Sequence, residues 1–476
     1  MSSSQTAASL PLKSASLYRT IWRWHFYAGL FVVPMVLILA LTGAIFLFNP
    51  QIERWEERHF RNLPTADAVA PEDQVRAALA TLPNAKFTSY RLPQQNGDAV
   101  LIRVAQGDSK VAVRDVFVSP QGKVVGFLDP DRRIMKVVHD IHGQLLLGRR
   151  GSWIVELAAS WAIVMVLSGL YLWWPTGRRM AGVLWPRLWS GRRAFWRDLH
   201  AVTGFWVAGL TMVLLITGLP WADVWGSAFK AVRTELGWVK GSQDWTIGGR
   251  PADAGGHTGH TMASTVEDAA PAGRMSATSH VMPDETIMTM AMPSASLDRI
   301  VAEAKSEHLP FPVIVTPPGQ TKRGGSTWSV RSEAQNRPLR VSLTYDAMTG
   351  EQTSRETFAD KHVIDRMVGY GVAWHEGQLF GVVNQLIGVA TALMLVTLSI
   401  SGFVMWTRRK PDGHLGAPPH SATPAKLKGV AVLILALAAF LPLFAGSLIV
   451  LSLLERIVLR RIDPLARWLG LTHKSA

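Results

Sequence analysis

Five stretches of this chain are apolar for long enough to cross a bilayer, and they limit the possible folds more than any other feature. They fall at about 20–48, 153–174, 196–221, 379–406 and 429–453. A crossing helix needs roughly 20 such residues, and inside hydrocarbon the backbone must satisfy its own hydrogen bonds, which a helix does. Hydrophobic residues make up 48% of the chain and charged ones only 18%, where soluble proteins are nearer about 25% charged. The expected fold class is therefore a polytopic α-helical membrane protein.

The formal charge of +14 suggests a nucleic-acid partner until its location is considered. Arg19 and Arg23 lie at the start of the first run; Arg178, Arg179, Arg187, Arg192 and Arg193 crowd the segment 175–195, with Arg197 just after it; Arg408, Arg409, Lys410, Lys426 and Lys428 fill 407–428. Basic residues in short loops mark the cytoplasmic side of a membrane. Segment 1–19 is then cytoplasmic, and the long loops 49–152 and 222–378 lie outside. In a bacterium this describes a multi-pass inner-membrane protein in contact with lipid, with no role for nucleic acid. The first run follows a Ser-rich lead and is too long for a cleaved signal, so it reads as a signal anchor. The tail 454–476 conflicts with this topology: it carries Arg456, Arg460, Arg461 and Arg467, yet five crossings put it outside. Pro442 and Gly446 would allow the fifth run to bend back, and its side stays open. The chain has no cysteine, which excludes Cys-ligated iron–sulfur clusters, covalent haem attachment and thiol chemistry.

The chain also repeats itself. Trp22-Arg23-Trp24-His25 and Trp196-Arg197-Asp198-Leu199-His200 each open an apolar run. A glycine follows four residues on (Gly29, Gly204), and a Thr-Gly pair at seventeen and eighteen (Thr42-Gly43, Thr217-Gly218). The second and fourth runs match as well: His142 and His375 each precede a glycine by six residues (Gly148, Gly381) and a Ser-Gly pair by twenty-six (Ser168-Gly169, Ser401-Gly402). Both runs end in Trp and basic residues. The outer loops share a pattern of one helix followed by strands, over about 67–130 and 296–358, with Gly turns. Two repeat-related halves are expected, each an outer α+β module between two spans, followed by a fifth C-terminal span. A Gly/Ala/Pro-rich stretch at 250–295 reads as a disordered insert.

The repeat puts four histidines at two depths. His25 and His200 fall about a turn inside the cytoplasmic ends of spans one and three, and His142 and His375 at or before the outer ends of spans two and four. A single histidine in a membrane helix is as a rule a hydrogen-bonded packing residue. Four at equivalent positions point to function, because ionisable groups in spans are costly. Two helices running the same way can face a histidine each across a slot, which suits the axial ligation of a haem b. Two haems are expected, His25 with His200 and His142 with His375. A zinc site would need three or four ligands, and no HExxH motif is present. Gly29 and Gly204 would let a flat ring approach. Arg149 and Arg150 are candidates for meeting haem propionates, or else simple interfacial anchors. His139, three residues before His142, is an alternative ligand. The twenty-six residues from His142 to Ser168 would span about 39 Å as a helix, beyond the roughly 30 Å hydrocarbon core, so the outer haem is expected at the bilayer rim, close to the outer modules, where the Gly148–Gly151 break can bend the helix.

These residues carry a family resemblance. His25 with Gly29 and Thr42-Gly43, the stretch His139-Asp140-Ile141-His142-Gly143-Gln144-Leu145-Leu146-Leu147-Gly148, and Gly169-Leu170-Tyr171-Leu172-Trp173-Trp174-Pro175 resemble the PepSY-associated transmembrane family. That family includes iron-regulated inner-membrane proteins and ferric-siderophore reductases. The resemblance covers about 15–455 and implies PepSY-type outer modules, two b haems and electron delivery to a ferric complex in the periplasm. The insert departs from the family pattern. It holds His257, His260, Met262, Met275, His280, Met282, Met288, Met290 and Met292, and thioether with imidazole suits copper. It reads either as a cuprous catch or as a Met-rich tether.

The expected activity is thus a haem-dependent metalloreductase acting on a ferric siderophore or Cu(II) to support metal uptake. The short cytoplasmic segments show no Gly-rich nucleotide site, so the electron donor is a separate flavoprotein, a quinol or another membrane partner. The competing classes are a non-enzymatic metal-handling or permease subunit, and a PepSY-type regulatory protein.

Overall fold

The computed structural model describes residues 12–106, 113–175, 181–187, 189–239, 246–247, 250–251, 295–319, 326–419 and 428–471. The candidate metal-capturing residues of the insert, His257 to Met292, lie outside the described residues. Among the described residues five helices are long and apolar enough to cross a membrane: Ser16–Phe46, Gly148–Trp173, Arg192–Trp221, Val382–Arg409 and Pro442–Leu459. This is a multi-pass membrane protein.

The chain begins with α1 (Leu12–Phe46) and the short α2 (Asn49–Glu56), then enters a first module of α3 (Pro71–Leu79), β1 (Ala85–Arg91), β2 (Val100–Gln106), β3 (Val113–Val118) and β4 (Val124–Leu128). Helices α4 (Ile134–Gln144), α5 (Gly148–Trp173), α6 (Arg192–Gly218) and α7 (Asp223–Glu235) follow, then a two-residue pair, β5 (Thr246–Ile247) and β6 (Arg250–Pro251). The second module is α8 (Leu297–Ser306), β7 (Val313–Thr316), β8 (Thr327–Ser332), β9 (Val341–Asp346) and β10 (Gln352–Thr357). The chain closes with α9 (Val363–His375), α10 (Val382–Arg409), α11 (Lys428–Phe440), α12 (Pro442–Leu454) and α13 (Asp463–Leu469).

Four of the long helices form a bundle. α1 packs against α5 and α10, and α6 packs against the same two, so α1 and α6 stand diagonally across it. Large apolar side chains such as Leu41, Trp206 and Leu393 remain exposed on its flanks, as lipid-facing positions should.

The run at 429–453 is not one straight helix. It breaks at Leu441, whose backbone (φ −120°, ψ 89°) is pushed out of the helical region by the following Pro442. The break lies beside α7, where Trp225 Nε1 donates to Phe440 O at 3.0 Å. From there α12 runs back along α5, with Trp161 Nε1 donating to Ser447 Oγ at 3.1 Å. α13 then docks where α1 begins. Arg23 donates to Pro418 O at 2.7 Å and to Gly470 O at 2.6 Å, and Tyr27 Oη donates to Leu469 O at 2.6 Å. The tail thus returns to the end of the bundle that holds Arg23, Arg408 and Arg409. The conflict between its arginines and a five-crossing count is removed by the bend.

At the opposite end the two modules are not separate bodies. Their strands form one antiparallel sheet in the order β10-β9-β8-β7-β1-β2-β3-β4, joined where Tyr90 and Arg91 of β1 pair with Val315 and Ile314 of β7. One core lies under α3 and α8, built from Ile102, Val116, Ile300, Val315, Val330 and Leu343. The two helices meet N-terminus to N-terminus and cap each other. Glu72 accepts from Leu297 N at 3.0 Å, and Asp298 accepts from Glu72 N at 2.9 Å. Orphan N–H groups at helix starts favour such acceptors. Glu72→Ala is expected to lower the melting temperature of this sheet by about 2–4 °C, read by thermal unfolding in detergent; an unchanged transition would mean that the reciprocal cap contributes nothing.

Ion pairs fasten the sheet to the bundle. Glu57 pairs with Arg91 (2.6 Å) and Arg133 (2.7 Å), Arg133 also reaches Glu56 (2.9 Å), and Arg337 reaches Glu376 (3.1 Å). The carbonyl of Leu47, just past α1, accepts from Gln378 (3.0 Å) and Gln385 (2.9 Å).

Candidate cofactor site

His142 and His375 do not sit on the long helices themselves. Each lies in the last turn of a short helix, α4 or α9, just before the chain turns into α5 or α10. After α4 the backbone turns through left-handed Leu145 and Leu146 (φ 51° and 58°). There α5 packs so close that a Cβ at Gly151 would lie 1.6 Å from the Gln144 carbonyl oxygen; only glycine fits. The bend anticipated near Gly148–Gly151 therefore exists, and it aims His142 inward toward the bundle.

The two imidazoles face each other with ring centres 6.3 Å apart and planes at 81°. An imidazole nitrogen binds a metal at about 2.0–2.1 Å, so this separation admits one ion bonded to a nitrogen of each ring. They border a cavity of about 600 Å³ whose walls come from all four long helices, including Leu39, Ala159, Leu214 and Ile387. That size and apolar lining suit a small-molecule or cofactor site. Both rings are half-buried against the cavity. Burial, then the charges of His375 and His139, pushes the His142 pKa down to about 3, and burial lowers that of His375. Both are neutral at neutral pH, the form that offers a metal its ring-nitrogen lone pair.

His25 of α1 and His200 of α6 form the second pair, near the basic end of the bundle. They come from the two diagonal helices, each with its Nδ1 beside a serine hydroxyl of a neighbouring helix. Arg409 lies over Trp22 (5.1 Å) and Phe26 (5.5 Å), the rings flanking His25, and Arg408 lies over Trp196 (5.8 Å).

One contact recurs at all four histidines. Nδ1 of His25 is 2.9 Å from Ser168 Oγ, that of His142 is 2.9 Å from Thr42 Oγ1, that of His200 is 3.1 Å from Ser401 Oγ, and that of His375 is 3.1 Å from Thr217 Oγ1. The glycine after each hydroxyl residue lies under the same ring. A Cβ there would fall 3.2–3.4 Å from Cε1 of the imidazole, at Gly43, Gly169, Gly218 and Gly402 alike. The Thr-Gly and Ser-Gly pairs were visible in the sequence as repeat markers. Their partner could not be seen there, because each serves a histidine on a different helix.

The other expected residues are placed as follows. His139 borders the same cavity but is 45% exposed, with its Nδ1 3.4 Å from Asp140 Oδ1. Arg149 pairs with Asp223 at 2.8 Å and lies over Trp153, and Arg150 is exposed; neither borders the cavity. The arginines that do border it are Arg331, Arg337 and Arg340 of the second module, together with Glu333 and Glu376. They are distant in sequence from His142, and no motif announces them. Gly29 faces Met165 and Gly204 faces Leu398, so both serve helix packing in this structure. Glu156, the conspicuous acid of the spans, accepts from Val224 N (2.9 Å) and Trp225 N (3.0 Å) and so caps α7.

The residues present fit a haem: paired neutral imidazoles, an apolar slot, glycines where a ligand ring rests, and arginines at the mouth for acidic side chains. Among the described residues no group of three or more His, Asp or Glu is placed to hold a metal ion.

A family model described as the PepSY-associated TM region matches residues 22–409. Comparison with curated proteins gives no match.

Proposed function

The chain belongs to the PepSY-associated TM region family, and from that premise we propose that it is a di-haem b metalloreductase of a bacterial inner membrane. His25 with His200 and His142 with His375 would hold the two haems, and the two halves of the chain are copies of one helix–module–helix unit. The haems would supply one-electron transfer between the two faces of the membrane. The sheet lies in the periplasm, and the basic end, with the start of α1 and with α13, in the cytoplasm. The observation that carries this reading is the His142–His375 pair, two half-buried imidazoles with ring centres 6.3 Å apart at the edge of a cavity of about 600 Å³.

The protein's own groups have distinct tasks. Arg331, Arg337 and Arg340 neutralise acidic side chains at the mouth of the outer site, as Arg408 and Arg409 do at the inner one. The apolar walls keep water from the ligand nitrogens. The acceptor is a ferric chelate such as a siderophore, or Cu(II), reached from the sheet side, and the His/Met-rich insert bears on that choice. The donor is a separate flavoprotein or quinol.

The test is an absorption spectrum of the detergent-purified protein, oxidised and dithionite-reduced, with haem counted by pyridine haemochrome. Two b-type haems per chain, reoxidised by a ferric chelate or by Cu(II), are expected, and the faster oxidant identifies the substrate. A protein free of haem after expression with excess haem precursor would overturn the proposal in favour of a metal-handling or regulatory role.

A further inference from the structure

The four hydroxyls do more than touch the histidines. A Ser or Thr hydroxyl has one proton to donate, and here each is directed to the residue's own helix. Thr42 donates to Ile38 O (2.7 Å), Ser168 to Val164 O (2.7 Å), Thr217 to Val213 O (2.8 Å) and Ser401 to Leu398 O (3.1 Å). With that proton committed, the hydroxyl oxygen can only accept from the imidazole. His200 Nδ1 meets a second pure acceptor as well, Leu398 O at 3.2 Å. Where each hydroxyl gives its proton to its own helix, Nδ1 carries the hydrogen and Nε2 keeps its lone pair.

We propose that Thr42, Ser168, Thr217 and Ser401 are positioning residues that lock all four histidines in the Nδ1–H tautomer and so set the electron affinity of whatever metal centre Nε2 binds. This rests on the two-haem reading only for its second clause. The partner of a ligand's remote N–H fixes ring orientation and ligand basicity. A hydroxyl is a weak, neutral acceptor, unlike a carboxylate. It holds the tautomer while withdrawing little of the N–H proton, so the imidazole stays neutral and the bound centre stays easy to reduce. The glycine beside each hydroxyl is part of the same device, since a methyl group there would push the ring off its acceptor.

Thr217→Val keeps the shape and removes the acceptor, whereas Thr217→Ser keeps the hydroxyl. On haem-loaded protein the readout is a spectroelectrochemical titration, with the His25–His200 centre as internal reference. Without its acceptor the imidazole donates less charge. The outer couple of Thr217→Val should therefore rise in potential by about 59 mV, its oxidised-to-reduced ratio at fixed potential falling about tenfold for one electron, while Thr217→Ser stays with the parent. Equal shifts in both variants, or none in either, would overturn the assignment. If the protein purifies without haem, ¹⁵N-histidine NMR of the same full-length chain decides. Four Nδ1–H imidazoles are expected, with His375 losing that preference in Thr217→Val; Nε2–H rings in the parent would sink the proposal independently of any haem.

Discussion

His375→Ala should leave the protein folded with one haem per chain instead of two, and with ferric-chelate reduction at background. The ring it removes is half of the outer pair, 6.3 Å from His142, and its last contacts are with Thr217 and Trp221. Nothing in the sheet or in the His25–His200 pair depends on it. The inner centre should still be reduced by dithionite, but its electron would have no exit on the sheet side. Haem quantification with a stopped-flow reoxidation trace measures both parts. Two haems with reduction intact would remove His375 from the site. His139→Ala is the matching control: although His139 borders the cavity, its exposed ring pairs with Asp140, so both haems should remain.

The largest stability loss is expected from Asp365→Ala. Asp365 near the start of α9 binds Arg233 of α7, and both are buried. Removing one member of a buried ion pair leaves a charge in low dielectric, at a cost of about 3–5 kcal/mol. Because α9 ends at His375, the damage should fall on one site: the outer haem is lost first on heating, and the inner one follows only with global unfolding. Differential scanning with absorption at two wavelengths would separate the two. Loss of both haems in a single transition at the parent temperature would contradict this account of what holds α9 in place.

Much of this architecture can be read from residue order. The apolar runs give the bundle, since length and hydropathy alone decide what can lie in a membrane. Equal spacings from His to Thr-Gly and to Ser-Gly single out the positions that the structure brings into contact. The contact itself is invisible in the sequence: spacing along one helix says nothing of what stands opposite on another. The same reason hides Arg331, Arg337 and Arg340, which reach the cavity from the second module's sheet region, whereas Arg149, adjacent to the site in sequence, turns to Asp223. Pro442 signals a break but not its angle, so the side of the tail needed the docking of α13 on Arg23 and Tyr27 to be read.

The seam between β1 and β7 has a mechanical consequence. Lipid presses on the flanks of the four long helices, and a thicker or thinner bilayer changes their tilt. The helices carrying His142 and His375 pack on the bundle and are also tied to opposite halves of one sheet, α4 through Arg133 and Glu57 to Arg91 of β1, and α9 through Glu376 to Arg337. The gap between the two imidazoles is thus braced by strand pairing as well as by the bundle, and it should change less with bilayer thickness than the tilt of the long helices does.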